Sequence, residues 1–374
     1  GAPAMPAGTK YPDKASAYDL SRTFFKAEAD YPGPKTMQAT ADWLKDHGQQ
    51  HESFFLFVDE FDPHEPFDTP EPWASLYDND WEGERIIWPP YSTDTLKNGI
   101  ITERQAHHIR QNYGAKLSMI DHWLGKVLDA LDNGGFWDDT MVILCTDHGH
   151  YLGEKDIFGK PRVMQYEPIG HTPLLIYHPD AAPNVISSLS TNVDLHATLT
   201  DLFDLNVDHV THGRSLLPDI LGLKTPARDW AVGGIFGNWV QIQDGRYKYA
   251  RGPTNDNYPL SMWSNRWSTM PVPYYPGLRL PNPDARAYID FMPGSSVPVL
   301  RQPFEPGDML PFWSMDASLD DHYLFDLQED PHEEHNLIGS KLEHQMIALL
   351  EDALRDLNAP AEQAARLGLP SASY

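Results

Sequence analysis

The feature that most constrains the fold of this chain is an apolar run at residues 141–146, MVILCT. The run has no polar alternation, which predicts a strand that is buried on both faces of a parallel sheet. It ends at Asp147 and His148, followed by Gly149. Because chemistry in open α/β sheets collects at the carboxyl ends of the strands, Asp147 and His148 are candidate ligands of one divalent metal ion. A helix-capping Asp followed by a surface His is the alternative interpretation.

The residues that follow offer a cation to the same place. Gly153, Gly159 and Lys160 lie in a loop that can return the ammonium of Lys160 over the metal, where an anion would sit. This loop favours the metal interpretation of Asp147 and His148 over the capping one.

A second polar cluster follows the Phe-rich run at residues 53–58, which also predicts a buried strand. In this cluster Pro63 and Pro66 flank His64 and restrict the backbone around its imidazole. His64 is therefore a candidate for contact with a substrate. A turn histidine that is hydrogen-bonded to a neighbouring carboxylate is the alternative.

Apolar runs and amphipathic helical patterns alternate along the first part of the chain. The run at residues 172–177 predicts a further buried strand. Helical periodicity predicts one helix each at residues 35–47 and 192–205, and one or two helices at residues 102–131. We therefore expect an α/β fold, a mostly parallel sheet flanked by helices, in a domain of residues 1–226.

The rest of the chain predicts a smaller α+β subdomain of residues 227–374, an antiparallel sheet plus a helix. Asp244-Gly245 between two short strand patterns predicts a hairpin turn, and residues 342–357 predict a terminal helix. Residues 251–321 form a long insertion that is rich in Pro and aromatic residues. We expect this insertion to form a wall of the cleft or a subunit contact.

Composition excludes several classes of partner. The 54 acidic residues exceed the 28 basic ones and give a net charge of −26, so we expect no nucleic-acid partner. No apolar run is long enough to span a bilayer, so we expect no membrane partner. The first residues have no apolar core and do not form a signal peptide, which does not exclude secretion. The single cysteine, Cys145, lies in a strand pattern and is expected to be a core residue rather than a nucleophile.

An ordered set of short motifs resembles the second half of an active site in the sulfatase family, which belongs to the alkaline-phosphatase superfamily. Pro63-His64-Glu65-Pro66 after a Phe-rich strand is similar to the segment of that family that carries its substrate-contacting histidine. The other motifs are Thr146-Asp147-His148-Gly149, Leu152-Gly153-Glu154, Phe158-Gly159-Lys160, Tyr166-Glu167 and Thr172-Pro173-Leu174-Leu175-Ile176. The resemblance covers roughly residues 35–357 and is weakest at residues 251–321.

The resemblance implies an alkaline-phosphatase-like fold and a metal-assisted hydrolase of sulfate esters. It implies that His64 and Lys160 are catalytic and bind the substrate, a small anionic ester, and that Asp147 and His148 bind the metal. Ca²⁺ is favoured for a shell of oxygen ligands, and the imidazole ligand leaves Mn²⁺ or Zn²⁺ open. A periplasmic or secreted location is implied by the resemblance, with a cytoplasmic one left open.

One part of the family pattern is absent from this sequence. The family makes a formylglycine nucleophile from a Cys/Ser-x-Pro/Ala-x-Arg motif, and an Asp pair ahead of that motif completes the metal site. Cys145 is followed by Thr146-Asp147-His148, and Ser21-Arg22 does not complete the motif. We therefore expect the formylglycine on a missing amino-terminal segment or chain.

Three alternatives stay open at this point. The chain can belong to a phosphonate monoester or phosphodiester hydrolase of the same superfamily, or it can be a noncatalytic fragment with the sulfatase fold. A homo-oligomer is a further open alternative for its assembly.

Overall fold

A computed structural model describes residues 17–223, 228–265, 286–308, 310 and 321–370 of the chain. These residues form two compact units. The first runs to Pro161 and includes His171–Pro179, and the second consists of Arg162–Gly170 and the residues from Asp180 on. Residue 226 lies outside the described residues, so the domain boundary expected there stays a prediction.

The first unit contains three α-helices and four short strands in its described part. The helices are α1 (Ala17–Arg22), α2 (Pro32–His47) and α3 (Glu103–Gly134). The strands are β1 (Val142–Cys145), β2 (Tyr151–Leu152), β3 (Phe158–Gly159) and β4 (Leu174–Tyr177).

The long helix α3 has clear start and stop signals. The Thr102 hydroxyl accepts a hydrogen bond from the backbone N–H of Gln105, whose side chain accepts one from the N–H of Thr102. Gly135 ends the helix in the left-handed conformation. Near this end, Leu131 packs with Leu44 of α2 in a hydrophobic cluster.

The parallel sheet that we expected is not present in the described residues. β1 and β4 pair antiparallel, with Leu144 opposite Leu175, and β2 and β3 also pair antiparallel. An apolar run indicates a strand but carries no information on its direction, which the connection to the neighbouring strand sets. The expectation that residues 141–146 are buried on both faces is also wrong, because Leu144 and Cys145 are exposed.

The buried strand expected at residues 53–58 is likewise wrong. The segment is not a strand in the structure. Phe54 and Leu56 pack against the cluster of Leu44 and Leu131, whereas Phe55 and Phe57 are 60% and 74% exposed. The alternation shows that only one face of this extended segment is covered.

In the ranges that the structure describes, the second unit is built on antiparallel strands and contains five further α-helices. The strands are β5 (Ala231–Gly234), β6 (Val240–Gln243), β7 (Tyr247–Arg251), β8 (Leu260–Ser264), β9 (Tyr288–Phe291), β10 (Pro298–Phe304) and β11 (Tyr323–Asp326). The helices are α4 (Glu167–Gly170), α5 (Val193–Leu202), α6 (Leu217–Ile220), α7 (Lys341–Asp356) and α8 (Glu362–Arg366).

The carboxyl-terminal sheet and helix that we predicted are confirmed. One sheet has the strand order β11-β7-β6-β5, and α7 packs Met346 and Leu350 into a core with Ile242 and Tyr249. The Asp244-Gly245 turn joins β6 and β7, and the Asp244 carboxylate accepts hydrogen bonds from the backbone N–H groups of the next two residues after Gly245.

The insertion at residues 251–321 is only partly described. Its described residues include β8, β9 and β10, which form a three-stranded antiparallel sheet, although the sequence there has no strand periodicity. Residues 266–285, 309 and 311–320 lie outside the described residues, so the role expected for the insertion stays a prediction. Among the helices of the described ranges, none combines the length and the apolar character needed to cross a membrane.

Candidate functional site

His64 and Lys160, which are 96 residues apart in sequence, contact each other in the first unit. The Lys160 Nζ atom lies 2.8 Å from Nε2 of His64. Lys160 directly follows β3, whose pairing with β2 fixes the start of the loop. His64 is held from another side by the ring of Phe61, with the two ring centroids 4.2 Å apart. The structure therefore brings together the two residues that we expected to bind an anion.

The hydrogen bonds of His64 define its tautomer. Its Nδ1 atom lies 2.6 Å from the backbone carbonyl oxygen of Glu65, which can only accept, so Nδ1 carries the proton. Nε2 is then the acceptor for the Lys160 ammonium. Burial lowers the pKa of His64, and the charge of Lys160 acts in the same direction. His64 is accordingly neutral at neutral pH in this arrangement.

Glu65 lies at the centre of this group of side chains and is 4% exposed. Its Oε1 atom is 3.3 Å from Lys160 Nζ and accepts a hydrogen bond from the Tyr91 hydroxyl. Its Oε2 atom is 3.5 Å from Nε2 of His150 and 3.5 Å from Nδ1 of His64. The sequence indicates a polar cluster here but does not single out Glu65, Tyr91 or His150.

The ionisation of Glu65 follows from these neighbours. Burial raises the pKa of its carboxyl group, but His150 and the charge of Lys160 outweigh burial and hold the pKa at about 2. At 3.5 Å the His150 contact is long for a hydrogen bond, so we attribute most of the effect to the Lys160 ammonium. Glu65 is therefore an anion, paired with a cation, below the protein surface.

The position of Tyr91 depends on Gly159. Gly159 has φ +76°, and a Cβ atom there would lie 2.7 Å from the Tyr91 ring and 2.8 Å from the carbonyl oxygen of Pro90. Glycine thus permits the close approach that places the Tyr91 hydroxyl on Glu65. The Lys160 ammonium also lies 5.8 Å from the centre of the Tyr91 ring.

Asp147 and His148 follow β1, as the sequence predicts, and contact each other. Asp147 Oδ2 lies 3.5 Å from His148 Nε2, and the side chains are 82% and 43% exposed. His148 Nδ1 is 2.9 Å from the carbonyl oxygen of Gly149 and so carries the proton, which leaves Nε2 as the basic nitrogen. Two residues further on, His150 reaches Glu65, so one short segment connects the Asp147–His148 pair to the His64–Lys160 pair.

The donor types of Asp147 and His148 suit a divalent metal, but their number does not. A ligating imidazole usually donates its other N–H to a carbonyl or carboxylate, as His148 does. Ca²⁺ takes six to eight oxygen ligands and Zn²⁺ about four donors. Within the described ranges no group of three or more His, Cys, Asp or Glu residues is arranged to hold a metal ion. The pair is therefore at most part of a coordination shell, and its role as metal ligand stays a prediction.

Cys145 does not have the surroundings of a nucleophile. Burial raises the pKa of its thiol, although the residue is exposed rather than in a core as we expected. A raised pKa disfavours the reactive thiolate.

Comparison with known proteins identifies relatives of this chain. The sequence model of the family described as Sulfatase matches residues 5–205, more than half of the chain. The chain is 31% identical over 188 residues to a choline-sulfatase of Rhizobium meliloti strain 1021, covering 48% of this chain and 36% of that protein. It is 32% identical over 168 residues to an N-acetylglucosamine-6-O-sulfatase of Bacteroides thetaiotaomicron, covering 44% and 28%.

Solved structures share the fold. The crystal structure of a phosphonate monoester hydrolase of Agrobacterium radiobacter matches 90% of this chain and 63% of its own, with a TM-score of 0.59 and 19% identity. The chain spans less than half the length of the curated relatives it matches.

Proposed function

This chain belongs to the sulfatase family of the alkaline-phosphatase-like superfamily, and from that premise we propose that it supplies the anion-binding part of a sulfate ester hydrolase. The observation that carries the proposal is that Lys160 contacts both His64 and the buried carboxylate of Glu65. An ammonium that is fixed by two partners forms a preorganised site for charge on a non-bridging oxygen of the ester.

Lys160 is the residue that neutralises the substrate. An ammonium has three N–H donors, and the described contacts with Glu65 and His64 use two of them. The third is available to an oxygen of a bound sulfate group. A net charge of −26 repels anions over the protein as a whole, so attraction of the substrate depends on this local cation.

His64 contacts the anion or protonates the leaving oxygen. In the arrangement seen here its Nε2 atom is an acceptor, so His64 can donate to an oxygen only after a proton reaches Nε2. An anion bound between Lys160 and His64 favours that protonation, because a nearby negative charge raises the pKa of an imidazole.

Asp147 and His148 are proposed as two ligands of one divalent ion, with Ca²⁺ favoured and Mn²⁺ or Zn²⁺ as alternatives. A bound divalent ion would act as a Lewis acid on an ester oxygen. The remaining ligands and a formylglycine nucleophile are proposed to lie on a segment outside this sequence. Two observations support this part: the sequence lacks the formylglycine motif, and apolar side chains of Phe55, Phe57 and Leu175 are exposed.

The test is to assay the full-length natural product and this 374-residue chain side by side. Aryl sulfates, sugar sulfates, phosphonate monoesters and phosphodiesters are compared as substrates, with and without added Ca²⁺, Mn²⁺ and Zn²⁺. We expect the highest kcat/KM of the full-length protein on a sulfate ester. A higher kcat/KM on phosphonate monoesters would favour the alternative that this protein is a phosphonate monoester hydrolase. The Agrobacterium enzyme of that kind shares the fold of this chain. No turnover of any ester would favour the noncatalytic alternative.

A further inference from the structure

Glu65 presents an electrostatic problem for the proposed function. It is an anion, it is 4% exposed, and it lies 3.3 Å from the ammonium that is proposed to attract an anionic substrate. A carboxylate at this place competes with the substrate for Lys160 and repels it. If Glu65 weakens binding of the substrate, we expect it to favour catalysis in another way that outweighs this loss.

The contacts of Glu65 indicate what that contribution is. The two carboxylate oxygens face different partners: Oε1 faces Lys160 and the Tyr91 hydroxyl, and Oε2 faces His64 and His150. Its own backbone carbonyl oxygen accepts a hydrogen bond from the Nδ1–H group of His64. One residue thus holds both the ammonium and the imidazole, through its side chain and its backbone.

The burial of Glu65 restricts the movement of the side chains that it contacts. A buried carboxylate that loses its cation is strongly disfavoured, so Glu65 and Lys160 restrain each other. Phe67 directly follows Pro66, is fully buried and packs its ring against His150, which limits movement of the chain around Glu65. A long lysine side chain would otherwise sample many rotamers.

We propose that Glu65 is a positioning residue, which orients the Lys160 ammonium and the His64 imidazole toward the anion without touching it. This inference rests on the proposed function and names the residue that organises that site. It follows that the negative charge of Glu65 weakens ground-state binding of the anion and increases turnover.

The first test is the variant Glu65→Gln in the full-length protein. Gln keeps the size and an acceptor for the Tyr91 hydroxyl but removes the charge that holds Lys160. We expect kcat to fall roughly 10- to 100-fold, because small displacements of a catalytic group have effects of this size. We expect KM, and the Kd for inorganic sulfate measured by calorimetry, to stay unchanged or to decrease. Glu65→Asp keeps the charge and should recover part of kcat.

A matched control separates positioning from stability. Asp78 is another buried carboxylate with a histidine and a cation as partners, His108 at 2.6 Å and Arg104 at 2.6 Å, but these partners do not belong to the site. Asp78→Asn should lower the thermal stability and leave kcat of the folded protein unchanged. If kcat of Glu65→Gln stays within twofold of wild type, the proposal is wrong. It is also wrong if Glu65→Gln and Asp78→Asn lose the same amount of stability and their kcat values fall by the same factor. A raised KM with unchanged kcat would also overturn it.

A second readout does not depend on turnover. The ¹⁵N resonance of His64 Nε2 reports whether the Lys160 ammonium donates to it. We expect Glu65→Gln to shift this resonance toward the position found in Lys160→Ala. An unchanged resonance in Glu65→Gln would overturn the proposal. If the full-length protein hydrolyses no ester, the proposed function fails and the resonance still decides the role of Glu65.

Discussion

The Nε2 atom of His64 faces the ammonium of Lys160 at 2.8 Å, so the imidazole is an acceptor and not a donor toward its neighbouring cation. This relationship requires the proton on Nδ1, and the Nδ1–H group donates a hydrogen bond to the carbonyl oxygen of Glu65. It also means that the two candidate catalytic residues are coupled. A proton on Nε2 would face the charge of Lys160 directly.

The first prediction concerns the titration of His64. Burial and Lys160 lower its pKa, so protonation should occur below the usual value of about 6.5. Because the unfolded chain then binds the proton more readily than the folded one, His64 stabilises the fold less as the pH falls below about 6.5. Side-chain NMR should find the Nδ1–H tautomer at pH 7.5. A His64 pKa of 6.5 or higher would contradict the arrangement.

The second prediction separates the two effects of Lys160. Lys160→Ala should reduce turnover of the full-length protein by roughly 10²–10³-fold, the scale for loss of one partner of the reacting anion. It should also lower the free energy of unfolding by up to ~3 kcal/mol, because the buried Glu65 loses its cation. The double variant Lys160→Ala/Glu65→Gln should be more stable than Lys160→Ala alone, because no unpaired carboxylate is buried, and it should regain none of the turnover.

Lys126, which is exposed on α3, supplies the control. Lys126→Ala should change neither the turnover nor the stability. Equal losses in Lys160→Ala and Lys126→Ala would mean that the charge of Lys160 has no specific role.

The third prediction is the acid dependence of the Glu65 contribution. The carboxyl pKa is about 2 in the folded protein against about 4.3 in an unfolded chain, so ionised Glu65 stabilises the fold by about 3 kcal/mol near neutral pH. That stability is present above about pH 4.3 and is lost as the pH falls toward 2. Denaturant unfolding of wild type and Glu65→Gln from pH 7 to pH 3 should show the difference between them shrinking. A difference that does not vary with pH would rule out this ionised state.

The fourth prediction compares two glycines with left-handed backbones. Gly159 has φ +76° and closely approaches Pro90 and Tyr91, whereas Gly99 has φ +64° and open space within 4 Å of the place that a Cβ atom would take. Gly99→Ala should lower the free energy of unfolding by ~1 kcal/mol, the effect of the backbone alone. Gly159→Ala should lower it by a further 1–3 kcal/mol, roughly the effect of overpacking. Equal losses would show that the close approach of Tyr91 does not constrain Gly159.

The sequence predicts the helices and turns of this structure better than the pairing of its strands. Helix α3 and the Asp244-Gly245 hairpin were predictable because helical periodicity, capping and turn preferences act over a few neighbouring residues. The antiparallel pairing of β1 and β4 was not, since an apolar run carries no direction.

The candidate site shows the same limit. His64 and Lys160 were proposed together from a family resemblance, and the structure brings them into contact. Glu65 was missed because acidic residues are common in this chain and usually lie at the surface. Its place between His64 and Pro66 is the signal that could have identified it.

The last prediction is that this 374-residue chain alone is catalytically silent and binds Ca²⁺ weakly. Asp147 and His148 supply two donors where the ion takes six to eight oxygen ligands, so we expect a Kd of about 10⁻³ M or weaker by calorimetry. Phe55, Phe57 and Leu175 are exposed, so a dye that binds apolar surface should fluoresce strongly with this chain and weakly with the full-length protein. Asp147→Asn should abolish the weak binding, whereas replacement of Asp129, exposed on α3, should not. Sulfate ester hydrolysis by the isolated chain, at a rate near that of the full-length protein, would falsify this prediction and place the nucleophile among these 374 residues.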